Sequence, residues 1–222
     1  QTTEAVTVTY HSNFAPDKTY TTAEMPNNST ITLPGYTGLG LPENPGYTFA
    51  EWNTQADGSG TTYQPGAKVL VDTMEPGNHL YAIWAKGTGT PYEVHHYLER
   101  LEGAYPYVPN EKDNLRGETG AWTAAAAKSY DGFTPMEFAQ EMIKADGSTV
   151  VKIFYTRNSY LLTYKDSLSA GVYASQTYKY GAAVNAIAAP TKTGYTFTGW
   201  SPAVPDTMPA WALTVYAQWR KT

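Results

Sequence analysis

The sequence contains two copies of one pattern. Residues 46–52 read Gly-Tyr-Thr-Phe-Ala-Glu-Trp, and residues 194–200 read Gly-Tyr-Thr-Phe-Thr-Gly-Trp. Further along, Leu-Tyr-Ala-Ile-Trp at 80–84 is matched by Val-Tyr-Ala-Gln-Trp at 215–219. Self-similarity at this scale indicates a small structural unit that is used more than once. The pattern therefore favours tandem small domains over one large irregular core.

The two copies differ mainly in the length of one loop. The triplet Asp-Thr-Met occurs at 72–74 and again at 206–208, but its Asp lies 20 residues after Trp52 and 6 residues after Trp200. Extra residues in a surface loop cost little, because closure entropy grows slowly with length. The Asp-Gly-Ser-Gly stretch at 57–60 is interpreted as a hairpin turn, since it lacks the alternating acids and closing Glu of a calcium loop.

A different segment, residues 90–157, separates copy one (residues 4–86) from copy two (residues 159–221). The junctions are short, at 86–90 and 156–159, and would allow neighbouring domains little swing. We therefore predict three modules in an elongated array, with these boundaries: residues 1–88, 89–157 and 158–222. Cysteine-free modules of this size need large apolar side chains, because small domains bury a smaller share of their surface. Aromatic residues make up 14% of the chain and supply that area.

Strand patterns dominate the sequence. Val6, Val8 and Tyr10 alternate with threonines, the period-two pattern of a half-buried strand. The two apolar stretches that end in Trp84 and Trp219 predict central strands. One helix is predicted over 134–144, where Thr134 and Glu137 form a capping box around Pro135. The fold class is accordingly mainly β, or α+β.

Composition excludes several classes of protein. The chain has 15 Lys and Arg against 20 Asp and Glu, a net charge of −5, so it lacks the basic surplus of a nucleic-acid-binding domain. It is too aromatic to be disordered, and no apolar run approaches the roughly 18 residues that span a bilayer. Without cysteine there is no disulfide or thiolate site. With no signal or wall-anchoring motif, we expect an interior part of a longer protein.

A Val-Thr-rich strand, then Gly-Tyr-Thr-Phe-x-x-Trp, then Leu/Val-Tyr-Ala-x-Trp resembles the internalin B-repeat, also called the Listeria–Bacteroides repeat. The stretch 190–197 is especially close to that family. Copy one departs from it at 39–45, and it has His-Ser-Asn at 11–13 where the family often has an acidic residue. The resemblance implies β-grasp (ubiquitin-like) modules that are secreted and strung in series on bacterial surface proteins.

The middle segment resembles the mucin-binding-protein (MucBP-like) repeats. The residues that carry this weaker resemblance are Val-x-His-Tyr-Leu at 94–98 and Ala-Asp-Gly-Ser-Thr-Val-Val-Lys at 145–152. It implies a further β-grasp module, with host mucin or glycan as one class of ligand.

No catalytic constellation stands out in the sequence. There is no Walker loop, dinucleotide fingerprint, zinc-protease motif or nucleophile elbow. His95 and His96 are adjacent on a strand and point to opposite faces, so they cannot chelate one ion, and His96 is interpreted as a core residue. His11 and His79 lie in different segments without an acidic pattern. We predict no enzyme, no catalytic residue, no cofactor and no metal site.

The solvated pair Glu99 and Glu102 flanks Arg100 in a turn, which offers no cleft for carboxylate catalysis. The tryptophans at matching positions of the two copies are interpreted as core residues; they are Trp52, Trp84, Trp200 and Trp219. The aromatic residues without a counterpart in the other copy are the better ligand-binding candidates; they are Trp122, Tyr105, Tyr107 and Trp211. We nevertheless expect each of them to be partly buried.

These observations favour a non-enzymatic stalk or adhesin fragment of a bacterial cell-surface protein, extracellular and monomeric. It would hold a distal domain away from the envelope, with weak adhesion to a host surface protein. The alternative is a module that binds host glycans or mucins, and an enzyme or accessory domain ranks third. We expect no nucleic-acid partner and no membrane insertion. Lys–Asn or Thr–Gln cross-links stay open, because the residue types are present and nothing marks a pair.

Overall fold

The computed structural model describes residues 4–72 and 77–222. In this part of the chain there are seventeen β-strands, one short 3₁₀ helix at Tyr36–Leu39 and no α-helix. The prediction of a mainly β protein is therefore confirmed, and its α+β alternative is wrong for these residues. The chain divides into two compact units. The first comprises Gln1–Tyr92, Leu115–Thr123 and Met142–Thr149, and the second comprises Glu93–Asn114, Ala124–Glu141 and Val150–Thr222.

Copy one lies in the first unit. Its strands are β1 (Ala5–Val6), β2 (Thr9–His11), β3 (Thr19–Thr21), β4 (Met25–Pro26), β5 (Thr30–Thr32), β6 (Tyr47–Asn53), β7 (Thr62–Tyr63), β8 (Lys68–Leu70) and β9 (His79–Lys86). The main sheet has the order β3-β2-β9-β6-β7, and two small ribbons pair β1 with β4 and β5 with β8. Within the main sheet, β2 and β9 run parallel, whereas β3, β6 and β7 run antiparallel to their neighbours.

The remaining strands are β10 (Thr90–Leu98), β11 (Glu111–Gly117), β12 (Phe133–Pro135), β13 (Val150–Arg157), β14 (Ser159–Asp166), β15 (Val172–Lys179), β16 (Tyr195–Ser201) and β17 (Leu213–Lys221). The middle segment forms a sheet of order β11-β10-β13-β12, and the division between the units passes through β10 and β11. Copy two, in the second unit, forms a sheet of order β15-β14-β17-β16.

The repeated sequence folds into a repeated sheet. Strands β15, β14, β17 and β16 of copy two correspond in order to β3, β2, β9 and β6 of copy one, and β14 and β17 are again parallel. The register shifts at the same place in both copies, after Phe49 and after Phe197. The apolar stretches that end in Trp84 and Trp219 are central strands, as predicted. The extra loop of copy one adds β7 at the sheet edge.

Each copy has its own core beneath the sheet. In copy one, the buried Tyr10 ring meets the Trp52 ring edge-on at 5.0 Å, and Trp52 is completely buried. In copy two, Tyr164 meets Trp200 in the same way, also at 5.0 Å. Of the repeated Asp-Thr-Met triplet, Met208 is buried in the second core, whereas Thr73 and Met74 lie outside the described residues.

The helix predicted over 134–144 is wrong. Thr134 pairs with Thr156 on β13, and the backbone N–H of Met136 donates to the Phe154 carbonyl at 2.8 Å. Pairing with β13 satisfies the backbone groups that the helix would have satisfied, so the local capping signal does not produce a helix here. Further along, the Gln140 side chain both donates to and accepts from the backbone of Ala125, which holds that stretch extended.

Candidate functional sites

The four unmatched aromatic residues occupy different surroundings. Trp122 belongs to the first unit, where its backbone bridges to Met142. Both side chains are largely exposed, Trp122 by 67%. The neighbouring backbone is fixed, because Ile143 donates to the Ala121 carbonyl at 2.8 Å. Trp122 is therefore an exposed ring on an ordered backbone.

Tyr105 and Tyr107 differ sharply although they are two residues apart. The half-buried Tyr105 ring packs edge-on against Phe154 at 5.0 Å, and burial raises the pKa of its hydroxyl. Tyr107 is 99% exposed and lines a shallow depression of about 390 Å³ with Tyr97 and Lys152. Tyr105 is thus a packing residue, whereas Tyr107 is free to contact a partner.

Trp211 is 60% exposed in the loop before β17. It is not among the residues that line the depression beside Tyr107. The structure thus brings Tyr105 and Tyr107 into one region of the second unit, and it does not join Trp211 to them there.

The matched tryptophans are packed against protein. The Trp52 indole donates to the Pro34 carbonyl at 2.9 Å, and the half-buried Trp84 indole donates to the Ser12 carbonyl at 2.8 Å. Trp200 is partly buried against the core of copy two. Trp219 is half-buried and donates to Asp166 at 2.8 Å. Each of the four indoles therefore has a structural contact.

Asp166 is the most heavily bonded carboxylate of copy two. It is buried, and its oxygens accept from Lys192, from the Trp219 indole, from Ser169 and from the Leu168 backbone. The hydrogen bond from Lys192 is the main reason that the pKa of this carboxyl lies well below its usual range. This environment keeps Asp166 ionised and fully paired, so it is a structural anchor rather than a catalytic acid.

A polar network in the second unit surrounds His96. The ring is completely buried; Tyr155 Oη lies 2.8 Å from Nδ1 and Asp113 Oδ2 lies 2.8 Å from Nε2. Asp113 also accepts from Lys128 at 2.6 Å, and these hydrogen bonds hold the pKa of its carboxyl below the ordinary value. Because both ring nitrogens are occupied by protein groups, His96 is a packed core residue, as predicted.

The other carboxylates from the sequence search have local roles. Glu99 accepts from the backbone N–H of Arg157 at 2.7 Å, whereas the exposed Glu102 lies 3.8 Å from Arg100. Asp57 accepts from the backbone and the hydroxyl of Ser59, which closes its own turn. None of these contacts forms an acid–base pair in a cleft.

His11 and His79 lie side by side, which the sequence does not suggest. His11 Nε2 is 2.9 Å from His79 Nδ1, and Asp17 Oδ2 is 2.8 Å from His11 Nδ1. No group of three or more His, Cys, Asp or Glu side chains that could hold a metal ion occurs in residues 4–72 and 77–222. Among the same described residues, a membrane-spanning helix is not found.

The duplicated sheets and their separate cores define a tandem-repeat β protein. The model of one family, the Listeria-Bacteroides repeat domain, matches residues 7–82 and 160–218, more than half of the chain. The chain belongs to this family. The matched ranges fall within the two copies that the sequence comparison identified.

Similar proteins come from two bacteria. Internalin H of Listeria monocytogenes is 35% identical over 214 residues, which are 90% of this chain and 35% of internalin H. A Gly-rich membrane protein of Evansella cellulosilytica is 25% identical over 172 residues, which are 70% of this chain and 18% of that protein. The chain thus spans 35% or less of the length of these curated relatives.

Proposed function

We propose that the chain is a non-enzymatic stalk segment of a bacterial cell-surface protein that spaces or presents another part of the same protein outside the cell. Membership of the repeat family and the similarity to internalin H support the surface assignment. The observation that carries the stalk proposal is the way in which successive segments are joined inside each compact unit.

In the first unit, copy one and the start of the middle segment are joined backbone to backbone. The N–H of Gly87 donates to the Gly46 carbonyl at 2.7 Å, and the N–H of Thr119 donates to the Gly87 carbonyl at 2.9 Å. The Thr119 hydroxyl lies 2.6 Å from the Gly46 carbonyl and 2.7 Å from the Thr90 hydroxyl. A linker with these bonds is held in place rather than free to swing.

In the second unit, Arg157 joins the middle segment to copy two. Its guanidinium donates to the Glu99 carbonyl at 3.0 Å and to the Tyr180 carbonyl at 2.8 Å. The same group lies 4.8 Å from the centre of the Phe133 ring, within cation–π range. An ion pair, Lys179 with Glu99 at 3.6 Å, crosses the same junction.

Such junctions suit a mechanical role. Short linkers whose backbone groups are bonded to both neighbours limit hinge motion, and a spacer needs that property to keep a distal domain at a distance. A binding protein that works by flexible reach would need the opposite.

We further propose three β-grasp modules with the boundaries 1–88, 89–157 and 158–222, the second of them MucBP-like. The support is topological. Each main sheet places its first and last strands side by side and parallel at the centre: β2 with β9, β10 with β13, and β14 with β17. In each main sheet, counted along the chain, the second strand lies beside the first and the third strand lies beside the last.

The stalk proposal can be tested in a cysteine-free background. Spin labels on Lys152→Cys and Ser175→Cys, both exposed and in the second unit, report the distance between the middle segment and copy two. We expect a narrow distance distribution that broadens when Arg157→Ala removes the junction contacts. Arg220→Ala, an exposed arginine at the end of β17, is the matched control. A broad distribution in the unsubstituted protein would contradict the proposal.

A second candidate function is adhesion to a host glycan, a mucin or a host surface protein. The fully exposed Tyr107 ring beside a depression with polar groups favours it, because exposed aromatic faces stack on sugars and anchor protein partners. Glycan-array binding that is lost with Tyr107→Ala and kept with Tyr105→Phe would support this function. The absence of any signal at high protein concentration would count against the glycan and mucin ligands.

A further inference from the structure

The outer face of the copy-one sheet holds two histidines from distant parts of the chain. Because β2 and β9 are parallel, His79 lies opposite Thr9, and His11 lies opposite Tyr81. The two histidines are therefore diagonal neighbours on one face, opposite to the face on which Tyr10 enters the core. Their facing nitrogens, His11 Nε2 and His79 Nδ1, are 2.9 Å apart.

Asp17 binds the other nitrogen of the His11 ring. Its carboxylate lies 2.8 Å from His11 Nδ1 and also accepts from the Asn13 backbone and from the Ser12 hydroxyl. A carboxylate oxygen accepts, so His11 Nδ1 is the donor, and Nε2, the atom that faces His79, carries the lone pair.

The His11 ring is also held in place by Tyr81. The two rings stack with centroids 4.3 Å apart and an angle of 18° between their planes. A carboxylate on one nitrogen and a stacked ring on its face pre-orient the imidazole, which is how metal-binding histidines are commonly supported.

We propose that His11 Nε2 and His79 Nδ1 together bind one divalent transition-metal ion, with Cu²⁺ preferred. The two nitrogens face each other, and the 2.9 Å between them is the length of the hydrogen bond that they form in the metal-free protein. Among first-row divalent metals, Cu²⁺ binds a given set of nitrogen ligands most tightly, ahead of Ni²⁺ and Zn²⁺.

Without a metal, the same two atoms form a hydrogen bond in which His79 donates from Nδ1. In the metal-bound form that proton would sit on His79 Nε2, because a neutral imidazole binds a metal through its unprotonated nitrogen, so the pair would release no proton. The protein offers two ligands, and water would complete the coordination. We therefore expect an exchangeable ion that links β2 to β9, and not a metal needed for folding. This proposal does not depend on the stalk function.

The test is calorimetric titration of the full chain with CuCl₂ and with NiCl₂. We expect one ion per chain and weaker binding of ZnCl₂ than of CuCl₂. His79→Ala and His11→Ala should each lower the affinity at least tenfold. His95→Ala is the matched control, because His95 is a half-buried strand histidine bonded to Glu93 instead.

Asp17→Asn supplies a variant that keeps both ligands. The loss of a supporting carboxylate typically weakens metal binding by about 10–100-fold. We expect a drop in that range with an unchanged circular dichroism spectrum. The proposal is overturned if no saturable binding occurs, if binding survives His79→Ala, or if His95→Ala weakens it as much. It is also overturned if zinc binds as tightly as copper.

Discussion

At the scale of single residues, the two copies place a carboxylate at the end of the first central strand from different sequence positions. Asp166 of copy two is replaced by Ser12 in copy one, and Lys192 is replaced by Asn44, so both members of the ion pair are lost together. In copy one the carboxylate comes from Asp17, which accepts from Ser12 and from the Asn13 backbone. Copy one lacks the family's acidic residue at 11–13, and Asp17, six residues or fewer away, supplies a carboxylate in its place.

The pH dependence of stability should differ when Asp166 is changed. The pKa of its carboxyl is lowered in the folded protein, so its contribution is complete above the unfolded pKa of about 3.9 and is lost as the pH falls further. We expect Asp166→Asn to lower the urea midpoint at pH 7 and to flatten the loss of stability below pH 4. Asp131→Asn, an exposed position, is the control. If Asp166→Asn loses stability below pH 4 as steeply as the unsubstituted protein, the lowered pKa of Asp166 does not contribute to stability.

The hydroxyl of Tyr155 should contribute more to the free energy of unfolding than that of an exposed tyrosine. It accepts from the Lys128 backbone at 2.9 Å and lies 2.8 Å from His96 Nδ1, so Tyr155→Phe leaves one buried group and one partly buried group without this partner. We expect a loss of about 1–3 kcal/mol in the free energy of unfolding, measured by urea denaturation. Tyr107→Phe should change it by less than about 0.5 kcal/mol. Equal effects of the two substitutions would show that the His96 network is not structural.

At the scale of elements, the same turn sequence is packed against another segment in copy one and is open in copy two. Gly46 and Gly194 open the same Gly-Tyr-Thr-Phe strand, and both have a positive φ, +77° and +80°. A Cβ at Gly46 would lie 2.3 Å from the Ala145 carbonyl oxygen, whereas a Cβ at Gly194 would meet nothing within 4 Å. The turn needs glycine in both copies, and in the first unit the middle segment also packs against it.

Alanine at these two positions therefore separates turn strain from packing. Gly194→Ala should cost about 1–2 kcal/mol, the usual penalty for a left-handed alanine. Gly46→Ala should cost more, because the Ala145 backbone must also move away. Thermal denaturation of the two variants gives the comparison. If both variants lose the same stability, the close approach at Gly46 contributes nothing.

At the scale of the whole molecule, the intact mass tests whether the chain is held by covalent cross-links. The best-placed Lys–carboxylate contact is Lys192 with Asp166, but hydrogen bonding lowers the pKa of the acid and raises that of the amine. An ionised carboxylate and a protonated amine do not condense readily, so this pair should stay an ion pair. We expect the mass of the unmodified formula. A deficit of one water per chain would instead indicate an amide at such a pair, and a deficit of one ammonia would indicate a Lys–Asn or Thr–Gln cross-link.

The sequence alone determined the repetition, the mainly β class, the central strands and the packing role of the matched tryptophans. These features depend on local pattern and on side-chain size, which a sequence displays directly. The predicted helix at 134–144 failed because pairing with β13 outweighed a local capping signal. Likewise, the sequence could not distinguish the buried side of Tyr105 from the exposed Tyr107, since both follow the same irregular stretch.

Only the tertiary structure decided which distant residues meet. His11 and His79 are 68 residues apart, and they become neighbours because β2 and β9 pair in parallel with one particular register. The same holds for Arg157 at its junction, whose partners come from three other segments. A register shift of one residue would turn each of these side chains to the other face. Long-range pairing, which no local pattern encodes, therefore places the groups that can bind a ligand or fix a junction.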